Sequence, residues 1–178
     1  VLEQLGFYWF EEAFGSTDIL HMKWYKQLNQ ALPTVRVSGG ERFLNRFEAQ
    51  TWLDNDGLDI VQTDCNVTGV TENWYIGKMA RLRGKTLIPH NWHGGGTTMA
   101  NAHLVAAMPN REYCELNQTF NPLKDEIFRE PLITKNGTMT LTNRPGFGVE
   151  LIDDIEKKFP YVEGSYLKPN SYFESSNV

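Results

Sequence analysis

The sequence predicts an α/β fold in which parallel strands alternate with helices. Short apolar or β-rich segments recur about every 25 residues, and a stretch with helical spacing of apolar residues follows each of the first four. An ionisable group also stands where each segment ends. The segments lack clean alternation, which is typical of parallel strands buried on both faces. A doubly wound open sheet and part of a (β/α)8 barrel are both open at this point.

The predicted elements follow one another in regular order. Strands are predicted at 6–10, 34–40, 58–64, 85–90 and 112–116. Helices are predicted over 17–31, 42–53, 69–82 and 97–107, and Pro33 and Gly84 act as stop signals. From residue 122 the alternation ends, and the sequence predicts a loop, a hairpin around Asn136-Gly137 and a turn at Pro145-Gly146. From about residue 160 a loop with a frayed end is expected.

Charge and composition exclude several classes of partner. The 178 residues include 17 basic and 22 acidic side chains, a formal net charge of −5, and no basic stretch that could neutralise a run of phosphates. We therefore expect no nucleic acid partner. No apolar run reaches the roughly 18–20 residues of a membrane span, and the first residues carry no basic leader. The two cysteines, Cys65 and Cys114, are expected to be free thiols in the cytoplasm.

One ionisable group closes each predicted strand. These groups are Glu11, Glu41, Asp64, His90 and Glu115, spaced by 23 to 30 residues. In a parallel barrel the carboxyl ends of the strands converge on one mouth, where catalytic residues come from several strands. Four acids and a histidine at one mouth would repel each other without a cation, and carboxylate oxygens are ligands that Mg²⁺ prefers. No glycine-rich phosphate fingerprint follows the first strand, which disfavours the open sheet.

Other polar residues receive simpler interpretations. Glu12 and Glu48 are interpreted as loop or surface residues, since a single acid after a strand is usually exposed. His21 and His103 lie inside predicted helices and are assigned structural or surface roles. His93, beside three glycines, is predicted as a loop or substrate-rim residue. The five strand-end groups are interpreted differently. A chance origin would require an ionisable group at the same position in five successive units.

Six segments carry a resemblance to a known family. They read WFEEAF, GGERF, QTDCNVTGVTE, LIPHNWHGGG, YCELNQ and RPGFGVEL. In this order and spacing they resemble the C-terminal portion of the mandelate racemase / muconate lactonizing enzyme branch of the enolase superfamily, from about residue 5 to about residue 152. The resemblance implies strands four to eight of a modified, TIM-like (β/α)8 barrel over residues 1–131. It also implies that residues 132–178 return to an α+β capping domain.

The resemblance also implies a role for each strand-end group. Glu11 and Glu41 are implied to bind Mg²⁺, and His90 and Asp64 to form a His–Asp dyad. Glu115 is implied to hydrogen-bond a substrate carboxylate oxygen. The physics suits these roles, because an enediolate carries two negative charges that a metal ion can spread and a histidine base works near neutral pH. The loop residues Asn91 and His93 join Glu115 as candidate substrate-binding residues.

The function that follows is dehydration of a sugar acid to a 2-keto-3-deoxy acid. The enzyme would remove the proton α to the carboxylate, pass through an enediolate and expel the β-hydroxyl. This choice rests on the segment PHNWHGGG, which resembles the seventh-strand loop of sugar-acid dehydratases. A racemase or epimerase of a 2-hydroxy acid is the alternative. A third hypothesis is a non-catalytic chain, either an inactive fragment without the N-terminal catalytic half or a sugar-acid binder.

The sequence departs from the family pattern in two respects. Ala13 stands where the family usually has proline. The metal-binding Asp of the third barrel strand and the opposite-face base have no counterpart in the chain. An N-terminal segment of the same enzyme is therefore an expected partner. A homo-oligomer is also expected. Aromatic residues near the end suit a subunit or domain contact: Tyr161, Tyr166, Tyr172 and Phe173.

Overall fold

A four-stranded parallel sheet forms the centre of the chain. The computed structural model describes residues 1–15 and 18–163. The strands are β1 (Trp9–Glu11), β2 (Arg36–Gly39), β3 (Ile60–Val61) and β4 (Thr86–Leu87). They lie in the order β1-β2-β3-β4, and every neighbouring pair is parallel. Each strand therefore lies beside the next one in sequence, as in a barrel wall, without the reversal of order that marks a doubly wound sheet.

The predicted fifth strand is present only as a single bridge. Leu87 pairs in parallel with Arg111, one residue before the predicted segment 112–116. Its only sheet neighbour in the described part of the chain is β4, which is two residues long. The Leu87 N–H donates to the Asn110 carbonyl at 3.2 Å, and the segment beyond it runs beside the sheet without forming a regular strand.

Four helices connect and follow the strands. They are α1 (Met22–Ala31), α2 (Arg46–Asp54), α3 (Cys65–Leu82) and α4 (Gly95–Ala107), and a 3-10 turn at Ile19–His21 precedes α1. The prediction placed the third helix at 69–82. It starts earlier because the Asp64 side chain accepts a hydrogen bond from the Asn66 backbone N–H at 2.6 Å and caps it. Gly69, at φ 80°, breaks the helix after its first turn, so the longer part begins at about residue 70, close to the predicted start.

The core lies between the helices and the sheet. The indole of Trp52, only 2% exposed, is its largest fully buried side chain. Its ring meets Tyr25 edge-on at 5.1 Å between centroids and Phe43 at 5.6 Å. Val37 and Val61, from β2 and β3, belong to the same buried cluster. Packing across three helix–strand units therefore fixes the ends of the strands.

The tail begins with a short helix and a hairpin. Its elements are α5 (Pro122–Asp125), β5 (Thr134–Lys135), β6 (Thr138–Met139) and α6 (Ile155–Lys158). The predicted hairpin is confirmed, because β5 and β6 pair antiparallel and Asn136 and Gly137 both have positive φ, 53° and 72°. The predicted turn is also present, with the Gly148 N–H donating to the Pro145 carbonyl at 3.1 Å.

Two expectations for the tail remain predictions. Its return to a capping domain involves structure outside this chain. Of the four aromatic residues expected at a subunit contact, Tyr161 is exposed and the others, Tyr166, Tyr172 and Phe173, lie outside the described residues. Among the described residues, no helix has both the length and the apolar character required to cross a lipid bilayer.

Candidate active site

All five strand-end groups reach one open cleft. Its lining includes Glu11, Glu41, Asp64, His90 and Glu115, with Arg42, Val67, Trp92 and His93 beside them. The expected convergence of the strand ends is therefore present in the structure. Four other cavities in the described part of the chain contain none of the five, and they lie along the tail hairpin, beside α4 and beside α1.

A tight turn after β2 carries Glu41 into the cleft. Gly40 has φ 109°, a left-handed conformation that favours glycine, and a Cβ there would lie 2.8 Å from the Phe43 ring. The Glu12 carboxylate accepts a hydrogen bond from the Gly40 N–H at 2.9 Å. The interpretation of Glu12 as a loop surface residue is therefore wrong. Its own backbone turns to φ 44°, and the side chain ties the end of β1 to the turn beside it.

Asp64 and His90 form the predicted pair. The Nδ1 atom of His90 lies 2.8 Å from Oδ2 of the fully buried Asp64. The Asn101 amide donates to the His90 backbone carbonyl at 2.8 Å, which fixes the residue from the other side. The hydrogen bond to Asp64 raises the pKa of His90 above its usual value, while burial opposes that change. When the imidazole is neutral and its proton lies on Nδ1 towards Asp64, Nε2 is the basic nitrogen that faces the cleft.

The metal-binding prediction concerns the neighbouring carboxylates. Glu11 and Glu41 end adjacent parallel strands and line the same cleft. Oε2 of Glu41 lies 3.3 Å from Nε2 of His90, and Oε2 of Glu11 accepts from the Trp9 indole at 3.3 Å. Two carboxylates offer the oxygen donors that Mg²⁺ prefers, so the residues present fit such an ion. They supply part of its octahedral shell, and the other ligands would come from elsewhere in the protein or from water and substrate.

Glu115 is half-buried beside the dyad. Burial raises the pKa of its carboxyl group above the ordinary value, with opposing contributions from His90 and from a hydrogen bond to the Asn91 N–H. That N–H donates to Oε2 of Glu115 at 3.0 Å. A carboxyl group with a raised pKa can carry a proton and donate a hydrogen bond to an anionic substrate oxygen. The local geometry therefore suits the role predicted for Glu115.

The structure places the other two predicted substrate-binding residues differently from each other. Asn91 is fully buried, and its amide nitrogen donates to Thr98 Oγ1 and to the Glu115 backbone carbonyl, each at 3.0 Å. These contacts show Asn91 holding Glu115 in position. His93 does face the cleft, with 35% of its side chain exposed, and its Nε2 lies 2.9 Å from Oδ2 of Asp64. This contact with Asp64 was not predicted, and its only signal in the sequence is the three-residue spacing between His90 and His93.

Comparison with known protein families identifies the family of this chain. The model described as enolase C-terminal domain-like matches residues 1–155. The chain belongs to this family. The resemblance to the mandelate racemase branch of the enolase superfamily is thereby confirmed, and so is the predicted fold class, an α/β chain forming the C-terminal part of a TIM-like barrel.

Curated relatives of this enolase-type chain include enzymes named for sugar acids. It is 35% identical over 159 residues to arabinonate dehydratase of Saccharolobus solfataricus, covering 89% of the chain and 41% of the relative. It is 31% identical over 163 residues to D-galactarolactone cycloisomerase of Agrobacterium fabrum, covering 86% and 42%. The chain thus spans about two fifths of the length of these relatives.

Solved structures of other enolase superfamily members superpose well. One is the 3,6-anhydro-D-galactonate cycloisomerase of Zobellia galactanivorans, with a TM-score of 0.77 and 32% identity over 88% of this chain and 43% of that one. Another is an enolase superfamily member from a Polaromonas species, with a TM-score of 0.80 and 29% identity over 92% and 43%. The enolase-type chain therefore has close structural counterparts that extend well beyond its own length.

Proposed function

We propose that the protein containing this chain is a Mg²⁺-dependent dehydratase of a sugar acid. The observation that carries the proposal is the position of His90. Its imidazole is held by Asp64 at 2.8 Å on one side and lies 3.3 Å from the Glu41 carboxylate on the other, inside the cleft. A base placed between an orienting carboxylate and a metal-binding carboxylate suits removal of the proton α to a substrate carboxylate.

Each site residue has its own role in the removal of the proton. Nε2 of His90 takes the proton from C2 of the sugar acid, and Asp64 stabilises the imidazolium that results. Glu115 donates a hydrogen bond to a carboxylate oxygen, and this bond strengthens as negative charge develops there. When bound by Glu11 and Glu41, Mg²⁺ supplies positive charge that favours ionisation at C2.

The second half of the reaction returns the proton. The imidazolium of His90 gives its proton to the hydroxyl at C3, the C3–O bond breaks, and water leaves. The remaining enol, with a C2–C3 double bond and a hydroxyl on C2, takes up a proton at C3, loses the proton of its C2 hydroxyl and becomes the 2-keto-3-deoxy acid. One histidine thus serves as base and then as acid, as a group with a pKa near the working pH can.

The relatives support this class of substrate. Arabinonate dehydratase, 35% identical, and L-rhamnonate dehydratase of Saccharopolyspora erythraea, 29% identical, both carry sugar-acid names.

We also propose that an N-terminal segment of the same enzyme supplies the remaining metal ligands, and that the enzyme is a homo-oligomer. We propose a cytoplasmic location as well, which the free thiols Cys65 and Cys114 suit because disulfides are rare in that compartment.

A substrate panel tests the proposed reaction. The native protein is incubated with a set of sugar acids and Mg²⁺, and 2-keto acids are detected as semicarbazones. The proposal predicts a keto-acid product with at least one member of the panel, and loss of that product when Mg²⁺ is chelated. Racemisation or epimerisation of a 2-hydroxy acid without any keto-acid product would overturn the dehydratase assignment and favour the alternative.

The non-catalytic hypothesis has its own test. Mass spectrometry of the native protein establishes whether the site residues occur together with an N-terminal segment. If that segment is present and carries an acidic residue at the third-strand position, the metal site can be completed. If the native protein consists of these residues alone, or its N-terminal segment lacks the acid, the sugar-acid binder or inactive fragment becomes the better hypothesis.

A further inference from the structure

A second imidazole shares the carboxylate oxygen that orients His90. Oδ2 of Asp64 lies 2.8 Å from Nδ1 of His90 and 2.9 Å from Nε2 of His93. One ligand atom from each of the three residues lies within 4.8 Å of the other two. The proposed dehydration uses His90 and Asp64 and requires nothing of this second contact.

The donor set of this cluster differs from that of the Mg²⁺ carboxylates. Two imidazole nitrogens and one carboxylate oxygen are typical ligands for Zn²⁺ and similar transition-metal ions, whereas Mg²⁺ favours oxygen. Three protein ligands with an open fourth position are common in such sites. We propose that Asp64, His90 and His93 form a binding site for a Zn²⁺-type ion, separate from Glu11 and Glu41.

The surroundings of the cluster suit an ion that enters from the cleft. Asp64 is fully buried and anchored by its hydrogen bond to the Asn66 N–H, so its Oδ2 atom has a fixed position. His93 retains 35% exposure and stands on the loop before α4. The two imidazole rings are nearly perpendicular, at 89°, with centroids 6.2 Å apart. A Zn²⁺ ion needs bonds of about 2.0–2.2 Å, so the three ligand atoms must separate slightly from their hydrogen-bonding distances.

Ion binding has a consequence for the proposed function, on which this part of the inference rests. A metal ion binds an unprotonated ring nitrogen, so Nδ1 of His90 must give up its proton. A neutral imidazole then carries its proton on Nε2, the atom that removes the substrate proton in the proposed reaction. The site therefore acts as an inhibitory metal site, in which Zn²⁺ blocks the base without displacing Mg²⁺.

Titration calorimetry of the native protein with ZnCl₂ tests the site itself. The buffer contains Mg²⁺ at a saturating concentration, so that Zn²⁺ must displace Mg²⁺ before it can occupy the carboxylate site. The expected result is one Zn²⁺ per chain, with affinity lowered roughly tenfold or more in His93→Ala. His103→Ala is the matched control, because His103 contacts the Phe147 carbonyl away from the cleft and should leave the affinity unchanged. An unchanged affinity in His93→Ala, or displacement of Zn²⁺ by Mg²⁺, would overturn the proposal.

Two further measurements keep the result interpretable. His93→Gln replaces the imidazole with an amide, a weak zinc ligand, and thermal melting of both His93 variants checks that they fold; the loss of affinity must appear in a folded variant. Zn²⁺ inhibition is then measured against the uninhibited rate of each variant, and should weaken by the same factor as binding. Calorimetry does not depend on dehydratase activity, so failure of the proposed function leaves the binding result standing. A negative calorimetric result likewise leaves the dehydratase assignment intact.

Discussion

Nδ1 of His90 lies 2.8 Å from Oδ2 of Asp64, while Oδ1 of the same carboxylate caps helix α3 through the Asn66 N–H at 2.6 Å. One fully buried side chain therefore joins the start of a helix to the candidate base. The position of the imidazole is set by the fold of the β3–α3 unit, because Asp64 cannot move without giving up the cap.

A substitution can separate the roles of the two Asp64 oxygens, one of which caps α3 while the other contacts His90. Asp64→Asn keeps one oxygen for the helix cap, because asparagine caps helices about as well as aspartate. It removes the negative charge that stabilises the imidazolium and disturbs the His90 tautomer. We expect kcat to fall roughly 10²- to 10⁴-fold while the melting temperature changes by only about a few degrees. A comparable loss of stability and activity would mean that Asp64 is mainly structural.

Adjacent acids at the end of β1 test the metal assignment. Glu11→Gln removes a proposed Mg²⁺ ligand and should weaken metal affinity roughly tenfold or more. Glu12→Gln is the matched control, because its amide oxygen can still accept from the Gly40 N–H. Titration with Mn²⁺ as a spectroscopic probe measures both affinities. Equal weakening in the two variants, or weakening in Glu12→Gln alone, would reassign the ligand.

A partly exposed cluster beside the sheet, formed by Arg36, Glu112 and Tyr8, makes a pH-dependent contribution to stability. Arg36 donates to both oxygens of Glu112 at 2.6 Å, and Tyr8 donates to Oε2. These contacts lower the pKa of Glu112 from its ordinary value of 4.5 to about 2, with the Arg36 hydrogen bond as the largest cause and burial opposing it. A lowered folded-state pKa gives stability that is present above pH 4.5 and is lost as pH falls towards 2.

Glu112→Gln isolates this contribution. Because the side chain is partly exposed, we expect the substitution to cost on the order of 1 kcal/mol of unfolding free energy at neutral pH. The difference between the native protein and the variant should shrink as pH falls below 4.5. Urea unfolding at several pH values measures it. A difference that stays constant down to pH 2 would contradict the assigned pKa shift.

The Trp52 side chain should be the most costly one to truncate in α2. Trp52→Ala removes a buried indole packed against Tyr25 and Phe43, and we expect it to lower the unfolding free energy by about 3–5 kcal/mol. Phe47→Ala, in the same helix but at a side chain that is 73% exposed, should cost less than about 1 kcal/mol. Denaturant unfolding of both variants compares them directly, and similar losses would contradict the packing described.

The cleft was predictable because strand ends in a parallel sheet obey a simple geometric rule. A group once per βα unit, at the carboxyl end, must reach the same mouth if the strands lie in sequential order. Glu11, Glu41, Asp64, His90 and Glu115 do so. Their intervals in sequence carried this information even though the strands themselves proved shorter than predicted, two to four residues each.

Loop conformations account for what sequence analysis missed. The role of Glu12 depends on a left-handed backbone at Glu12 itself and at Gly40, which no apolar pattern reveals. The contact between His93 and Asp64 depends on how the loop before α4 folds back towards β3. Residues 112–116 were predicted as a strand from their β-forming residues, but β-propensity alone does not supply backbone pairing, and the structure has only the bridge at Arg111.

The central claim is that His90 removes the substrate proton, and His90→Asn tests it most directly. Asparagine keeps a hydrogen-bonding side chain near Asp64 but has no basic nitrogen. We expect loss of 2-keto-acid formation from the best substrate of the panel, by roughly 10³-fold or more, with Mg²⁺ affinity within about twofold of the native protein. Retained activity in His90→Asn would contradict the account, and lost Mg²⁺ affinity would show that His90 is a metal ligand rather than the base.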